Sequence, residues 1–212
     1  MEDKYNHNRS IQLYQDFYGE GFDICKEKEI ILHPGLTVLV GCNGCGKTTL
    51  MRQIKQRLDE SEIQYIAFDN LQDGGSAARS KYGFYGDMSF VATSFCSSEG
   101  ENIIMNMGKL AGRIGRFIHD NSDIKELWIF LDAVDSGLSI DNIVELKTYL
   151  FNTIFEDNPQ RDIYIVVAAN EYELTAGEDC FDVYNGKYIR FNSYDEYREF
   201  VLRSRDIKNK RS

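Results

Sequence analysis

The sequence predicts an α/β protein built on a mostly parallel β-sheet flanked by helices, with an antiparallel portion near the N-terminus. Short apolar runs alternate with segments of helical periodicity along the chain. Two runs, Leu127–Leu131 and Ile163–Ala168, are apolar throughout, as is typical of strands buried on both faces of a parallel sheet. The antiparallel portion is expected from Ile24–Leu32 and Leu36–Val40, which the turn His33-Pro34-Gly35 separates.

The other elements follow from periodicity and from end signals. They are a helix over Leu50–Leu58, a strand over Gln64–Phe68, a Gly- and Ser-rich loop over 69–88, a helix from Ser98 to about His119, a helix over Asp141–Phe155, and a last helix from the capping box Ser193–Glu196 to about Arg205.

Length and composition favour one globular domain over residues 1–212. Of the 212 residues 42% are hydrophobic and only 2 are Pro, which suffices to bury a core. No run approaches the roughly 20 apolar residues of a membrane-spanning helix, and the charged start Met1–Lys4 lacks an apolar leader region. We therefore expect a cytoplasmic protein with no membrane partner.

The charge balance argues against passive nucleic-acid binding. The chain carries 24 basic and 34 acidic residues, a net charge of −10, whereas nucleic-acid binders normally present a basic surface. A nucleic-acid partner stays open only through a local patch, for which the basic tail is the candidate. A solvated, frayed terminus is the simpler interpretation of that tail. Its basic residues are Arg203, Arg205, Lys208, Lys210 and Arg211.

The most informative motif is Gly41-Cys-Asn-Gly-Cys-Gly-Lys47-Thr48, which matches the Walker A pattern G-x-x-x-x-G-K-[ST] without deviation. Glycines let the backbone wrap a phosphate with its N–H groups pointing inward. Lys47 brings a positive charge to the β and γ oxygens, and the Thr48 hydroxyl ligates Mg²⁺. An apolar strand leads in and a helix, with its positive dipole end facing the phosphates, leads out. The motif predicts binding of a nucleoside triphosphate with Mg²⁺, and ATP is the expected nucleotide.

Asp132 follows the apolar run Leu127–Leu131 directly. A carboxylate at the carboxyl end of a buried parallel strand is where an NTPase of this kind holds Mg²⁺. A loop cap is the simpler alternative for Asp132. With the phosphate-binding motif present, we expect the metal role.

Cys42 and Cys45 form a C-x-x-C, which in isolation suggests a redox pair or half a zinc site. Both lie inside the phosphate-binding motif, where the backbone must face the ligand. Unpaired, reduced thiols are therefore expected.

These residues resemble one family. The segment Gly41–Leu50 is similar to the G-x-N-G-x-G-K-[ST]-[ST]-L loop of the ABC-type ATPase superfamily, which includes transporter ATPase domains and SMC- and RecF-like ATPases. Asp135–Ser139 is similar to the family's D-loop, Ser97–Glu101 to its signature motif, and Val183–Ile189 to the strand–Gly turn–strand after its switch region. The resemblance implies a P-loop NTPase fold over nearly the whole chain.

The resemblance also implies further nucleotide contacts and a dimer. In the family the signature motif opens a helix and contacts the γ-phosphate held by the other subunit, so an ATP-sandwich homodimer is implied. A plain capping box over Ser98–Glu101 is the alternative. The nucleotide-binding residues implied are Gly41, Asn43, Gly44, Cys45, Gly46, Lys47, Thr48 and Thr49, with Ser98, Gly100 and Glu101 acting from the partner copy.

Two departures from the family's pattern concern catalysis. The family has a Glu directly after the magnesium Asp to polarise the attacking water, and here Ala133 stands there. Ala accepts no proton, so either hydrolysis is slow or another carboxylate acts, with Asp135 the first candidate and Glu171 the second. The switch His is replaced by Asn170, which can hydrogen-bond a phosphate or a water but carries no charge. Lys47, Asp135 and Asn170 are thus the expected catalytic residues.

Three further expectations come from the same resemblance. The glutamine that contacts the metal is expected at Gln72, for which an exposed loop residue is the alternative. Phe17 or Tyr18 stands where the family stacks an aromatic ring on adenine, with a core role as the alternative. Lys47 and Ser97 are 50 positions apart, which leaves no room for a coiled-coil arm and little for a transporter's helical subdomain.

Two functions follow. The first is an ATPase that closes into an ATP-dependent dimer and hydrolyses slowly or atypically. The second is a hydrolysis-deficient, nucleotide-controlled switch or scaffold that acts with a second protein subunit. A membrane transporter's ATPase and a small phosphoryl-transfer kinase fit less well, since the first needs the missing Glu and His and the second does not need the D-loop pattern.

Overall fold

The computed structural model describes residues 7–19, 21, 23–69, 99–135, 138–168 and 170–210, with side chains of the helix that starts at Glu99 described from Gly108 onward. The strands are β1 (Arg9–Gln12), β2 (Glu29–Leu32), β3 (Gly35–Val40), β4 (Tyr65–Asp69), β5 (Glu126–Asp132), β6 (Asp162–Ala168), β7 (Cys180–Asp182) and β8 (Lys187–Ile189). The helices are α1 (Lys47–Glu60), α2 (Glu99–Asp120), α3 (Ile140–Glu145), α4 (Asn152–Asp157), α5 (Tyr172–Thr175) and α6 (Tyr194–Asn209), and a π-helical turn over Leu146–Phe151 joins α3 to α4.

The strands form a six-stranded sheet and a separate two-stranded sheet. The large sheet has the order β4-β5-β6-β3-β7-β8, and every neighbouring pair in it is parallel except β7 and β8. The mixed α/β class and the mostly parallel sheet are therefore confirmed. The antiparallel N-terminal portion is also confirmed, but its partners differ: β2 pairs with β1, which the sequence did not predict, and β3 belongs to the large sheet.

The predicted strand Ile24–Leu32 is wrong over its first half, since only Glu29–Leu32 is extended within a ladder. The preceding residues change partners along their length. The Leu13 N–H donates to the carbonyl of Lys28, while the Lys26 N–H donates to the carbonyl of Tyr184 in the β7–β8 turn. This segment therefore crosses from the small sheet to the end of the large one.

Alternate residues of the central strands serve two separate cores. On one face of the large sheet, Trp128 and Phe130 of β5 pack with α1 and with the two-stranded sheet. The Trp128 ring stacks on Tyr164 of the neighbouring β6 with centroids 4.0 Å apart. The chief buried residues of α1 in this core are Leu50, Met51, Ile54 and Leu58.

The opposite face of the sheet is covered by α2, by α3–α4 and by Tyr197 of α6. Ile129 and Leu131 of β5 point to this side, next in sequence to the residues that serve the other core. Burial on both faces explains why β5 is an unbroken apolar run. The predicted helix Asp141–Phe155 is confirmed in extent, although the π-helical turn interrupts it without a sequence signal.

The last helix, α6, begins at the predicted capping box. The Ser193 hydroxyl accepts from the Glu196 N–H at 3.3 Å, and the Glu196 carboxylate accepts from the Asn192 N–H at 2.8 Å. The helix runs to Asn209, beyond the predicted end near Arg205. A frayed terminus is therefore wrong over this part of the tail, because Ser204 and Lys208 make contacts that hold it.

No helix in the described part of the chain combines the length and the apolar character needed to cross a bilayer.

Arg161 donates hydrogen bonds to backbone carbonyls in the last turn of α2 and just after it. The last carbonyls of a helix lack helical partners. Its guanidinium donates to the carbonyls of Ile118 at 3.2 Å, of Ile124 at 2.7 and 2.9 Å, and of Asn121. We expect Arg161→Met to lower the free energy of unfolding by about 2–4 kcal/mol, since several hydrogen bonds to a charged donor are lost together.

Denaturant unfolding measures this change. Arg161→Lys keeps the charge without the forked geometry and should recover part of the loss. Arg198→Met, at an exposed position of α6, is the control and should change stability by less than about 0.5 kcal/mol. Equal stability of the Met variants at 161 and 198 would show that Arg161 does not hold this corner.

Candidate functional site

The predicted functional residues meet at one edge of the large sheet, where its parallel strands end. In register, Leu39 of β3 lies beside Ala168 of β6, Ala168 beside Asp132 of β5, and Asp132 beside Asp69 of β4. Neighbouring strands lie about 4.8 Å apart, so Asp132 stands roughly 10 Å from the strand that leads into the phosphate-binding motif. The small Ala168 lies between them.

This edge is also a topological switch point. The connection that leaves β3 runs through α1, which packs on one face of the sheet. The connection that leaves the adjacent β6 runs through α5, whose Leu174 packs on the other face. A crevice opens at the carboxyl ends of two neighbouring strands when their connections diverge in this way, and ligands of open α/β sheets bind there.

The phosphate-binding motif forms the loop between β3 and α1, so its residues Gly41 to Thr49 are brought together as predicted. Two of its glycines are required by the backbone. Gly44 has φ +74° and Gly46 has φ +109°, a region that disfavours side chains. At Gly46 a Cβ atom would also come within 2.9 Å of Ile24 Cγ2.

Lys47 is the only charged side chain of this loop and is 8% exposed. Its ammonium folds back into the loop, where Nζ donates to the carbonyl of Gly41 at 2.9 Å and to that of Cys42 at 3.4 Å. Within the described residues no salt bridge involves Lys47. A buried cation held by neutral carbonyls has lost its hydration without gaining a counter-charge, which favours an anion at this place.

The N-terminus of α1 adds to this preference for an anion. Its N-cap, Gly46, has no side chain that accepts a hydrogen bond, and the first turn contains no acidic residue. The first N–H groups of a helix lack helical partners and carry the positive end of its dipole. Thr48 in the first turn is exposed and Thr49 is half-buried.

Two carboxylates lie side by side across from the loop. Asp132 is half-buried at the end of β5, and Asp69 ends the adjacent β4. Sequence reasoning missed Asp69, although the signal that selected Asp132, an acid ending an apolar run, is present there. Within the described residues no cluster of three or more His, Cys, Asp or Glu could hold a metal. Mg²⁺ suits such a place, since it commonly takes one or two carboxylates and completes its shell with phosphate oxygens and water.

Asp135 and Asn170, both predicted to be catalytic, are brought into contact. Asp135 is 1% exposed, and its Oδ2 accepts from the backbone N–H groups of Asn170 at 2.6 Å and Glu171 at 2.8 Å. Its other oxygen, Oδ1, is buried and has no hydrogen-bond partner among the described residues. Asp135 therefore ties the end of β5 to the segment after β6 and keeps one oxygen available.

Tyr197 of α6, which the sequence did not single out, completes this arrangement. Its hydroxyl donates to the carbonyl of Asn170 at 2.8 Å. Burial raises the pKa of Tyr197 well above its usual value, and the negative charge of Asp135 raises it further. The phenol therefore stays protonated and keeps its role as a donor.

The two cysteines of the loop are free thiols, as expected. The Cys45 N–H donates to the carbonyl of Cys42 at 3.1 Å and closes a turn within the loop. Burial raises the pKa of the Cys45 thiol, although the charge of Lys47 acts in the opposite direction. A thiol of raised pKa is a poor nucleophile and metal ligand, so the structure favours a packing role.

Phe17 and Tyr18 lie next to the loop. Together with Tyr14, Ile24, Thr49 and neighbouring residues they line a small pocket. Tyr18 is 50% exposed, so a core role does not fit it, and its hydroxyl accepts from Arg52 Nη1 at 2.9 Å. The Phe17 and Tyr18 rings meet edge to face at 4.9 Å.

Four predicted site residues lie in or next to parts of the chain that the structure does not describe in full. Gly100 and Glu101 lie in the first turn of α2, which agrees with a helix start at this place. Ser98 and Gln72 lie outside the described residues, as does nearly all of the predicted loop over 69–88.

No protein-family model matches this chain, and no curated protein matches it at a significant level.

Ala133, directly after Asp132, has φ +53°, a left-handed conformation that costs a non-glycine residue about 1–2 kcal/mol. We expect Ala133→Gly to raise the melting temperature by about 2–4 °C, because relief of this strain outweighs the added freedom of the unfolded chain. Ala111→Gly in α2, where the backbone is helical, is the matched control and should lower it. A melting temperature that falls equally in both variants would contradict strain at Ala133.

Proposed function

We propose that this protein binds ATP with Mg²⁺ at the loop Gly41–Thr48 and hydrolyses it slowly, within a dimer that ATP closes. The observation that carries the proposal is the buried ammonium of Lys47, which lies inside a glycine-rich loop and has no acidic partner among the described residues. That loop leads into helix α1 at the topological switch point of a parallel sheet. The N-terminus of a helix and the crevice at such a switch point each favour a phosphate.

Binding of a triphosphate changes the environment of Lys47. In the structure its Nζ bonds to loop carbonyls. A phosphate oxygen at the mouth of the loop would give the ammonium an anionic acceptor, and the amide N–H groups at the start of α1 would complete the cradle. These contacts are charge-assisted and largely preformed, so little ordering is required on binding.

Thr48 and Asp132 are the proposed metal-side residues, and Asp69 is positioned to contribute a second carboxylate. Mg²⁺ bound between them and the phosphates would neutralise charge on the β and γ oxygens. Thr48 is exposed at the start of α1, and the two carboxylates end β5 and β4 at the same edge of the sheet.

The pocket beside Thr49 is the proposed base subsite. Tyr18 offers an exposed ring, and Phe17 supports it edge to face. Stacking on an aromatic face is available to any nucleobase, so the choice of ATP follows from the resemblance to ABC-type ATPases.

The proposed catalytic residues differ most from those of the ABC-type ATPases. Ala133 cannot orient water, and Asp135 is the candidate to accept the proton of the attacking water. Its Oδ1 is buried without a hydrogen-bond partner among the described residues, and its Oδ2 accepts from the Asn170 amide. The exposed Glu171, whose amide also bonds Asp135, is the second candidate. If neither carboxylate acts, the protein is a nucleotide-controlled switch that stays closed until ATP dissociates.

The homodimer rests on the resemblance of Asp135–Ser139 and Ser98–Glu101 to the D-loop and signature motif, which act across two subunits in the family. A second protein subunit fits the same scheme. A nucleic-acid partner finds no support in the net charge of −10, and a cytoplasmic location remains an expectation from the sequence.

Removal of the Lys47 charge tests the binding proposal. We expect Lys47→Met to raise the Kd for ATP with Mg²⁺ by about ten- to a hundredfold, because a charge-assisted phosphate contact is lost. The free energy of unfolding without nucleotide should stay equal or rise, since the variant removes a buried cation that forms no salt bridge within the described part of the chain. Titration calorimetry and denaturant unfolding give the two numbers.

Lys55→Met removes a lysine from the same helix away from the loop and is the matched control. It should bind ATP like the wild type. A wild-type protein that shows no ATP binding at millimolar nucleotide, or a Lys47→Met variant that binds as tightly as Lys55→Met, would refute the proposal.

The Asp135→Asn variant distinguishes an ATPase that hydrolyses slowly from a nucleotide-controlled switch that does not hydrolyse ATP. The amide oxygen of Asn can still accept the two backbone N–H bonds but cannot take a proton, so binding should persist while turnover falls at least about tenfold. Phosphate release is measured together with molecular mass in the presence and absence of ATP. Equal, measurable turnover in both proteins would exclude Asp135 as the base, and ATP-dependent dimers without turnover in either would favour the switch.

A further inference from the structure

The C-terminal helix α6 touches the phosphate loop from outside, although the two are about 160 residues apart in the chain. The Ser204 hydroxyl accepts from the Cys42 N–H at 3.1 Å, and Lys208 Nζ donates to the carbonyl of Asn43 at 3.1 Å. Ser204 is 8% exposed and lies one helical turn before Lys208 on the same face of α6. One helix face therefore holds two peptide units of the loop backbone, the unit between residues 41 and 42 and the unit between residues 43 and 44.

Peptide planarity determines on which side of the loop α6 lies. In a trans peptide the C=O and N–H groups point in opposite directions. In the peptide unit that joins Gly41 to Cys42, the Gly41 carbonyl points to Lys47 and the Cys42 N–H points to Ser204. Lys47 and α6 therefore lie on opposite sides of this peptide.

The contact between Lys208 and Asn43 orients a second peptide unit in the same way. The carbonyl of Asn43 points to Lys208, so the N–H of Gly44 points away from α6. No acceptor pairs with the Gly44 N–H among the described residues. The bond to Lys208 thus directs this donor away from the helix.

Both glycines of the loop that face α6 lie close to its side chains. A Cβ atom at Gly44 would lie 2.7 Å from Lys208 Nζ, and a Cβ at Gly41 would lie 3.4 Å from Ser204 Oγ. The helix is close enough to limit the loop on its outer side. Its inner side is where Lys47 lies.

We infer that Ser204 and Lys208 are positioning residues that hold the phosphate loop in its anion-binding form, so that the C-terminal helix sets the affinity for the triphosphate. The inference rests on the proposed function for its ligand, while the loop geometry it describes exists without nucleotide. Lys208 acts through the Asn43 carbonyl, and Ser204 acts through the Cys42 amide.

The test compares Lys208→Met with the wild type in two measurements. The first is amide hydrogen exchange of the peptide over residues 41–46 in nucleotide-free protein, which we expect to become about three- to tenfold faster. The second is the Kd for ATP with Mg²⁺, which should rise about three- to tenfold, as the loss of one exposed charge-assisted hydrogen bond predicts. Ser204→Ala should give faster exchange at the Cys42 amide in particular.

Two further variants make the result specific. Lys208→Arg keeps a donor at this place and should restore both values toward the wild type. Lys210→Met removes the same charge from an exposed position two residues on and should change neither value.

Each outcome decides the question. Unchanged exchange in Lys208→Met overturns the inference, whether or not the affinity falls, because a fall in affinity alone would mean that Lys208 acts on the ligand by its charge. Equal effects in Lys210→Met would also overturn it. Faster exchange in Lys208→Met, with a wild-type protein that binds no nucleotide, would support the positioning of the loop while the proposed function fails.

Discussion

The buried ammonium of Lys47 is the constraint around which the functional edge of this protein is arranged. Its hydration is removed by the fold, and its partners among the described residues are neutral carbonyls of its own loop. Such a charge is costly unless an anion completes its environment. The start of α1, which has no side-chain cap, and the carboxyl ends of β3 and β6 favour an anion in the same way.

The rest of the fold determines how this charge is presented. The loop between β3 and α1 is held from outside by α6 and from inside by its own lysine, so its peptide units from residue 41 to residue 44 have defined orientations. Across the edge, Asp132 and Asp69 lie in one row because β4 and β5 are paired in register. A phosphate and a metal ion between these groups would find donors and acceptors already separated onto the two sides of the site.

The segment after β5 combines two unusual structural features. Ala133 has a strained backbone where the resembling family has a catalytic Glu, and Asp135 is buried with one oxygen engaged by two amides. These bonds couple the end of β5 to the segment after β6. The same carboxylate thus has a structural role that the geometry shows and a catalytic role that we propose, and the first does not depend on the second.

Local patterns determined most of the architecture. The phosphate loop, the unbroken strands β5 and β6 and the capping box of α6 were predictable, because each depends on residues close in sequence. Strand β1, the partner of β2 and the role of Asp69 were not, since pairing depends on contacts between distant segments. The end of α6 shows the difference most clearly. Its basic residues suggested a frayed tail, and only the folded chain brings Ser204 and Lys208 to a loop about 160 residues earlier, where their hydrogen bonds offset the entropy of ordering the helix end.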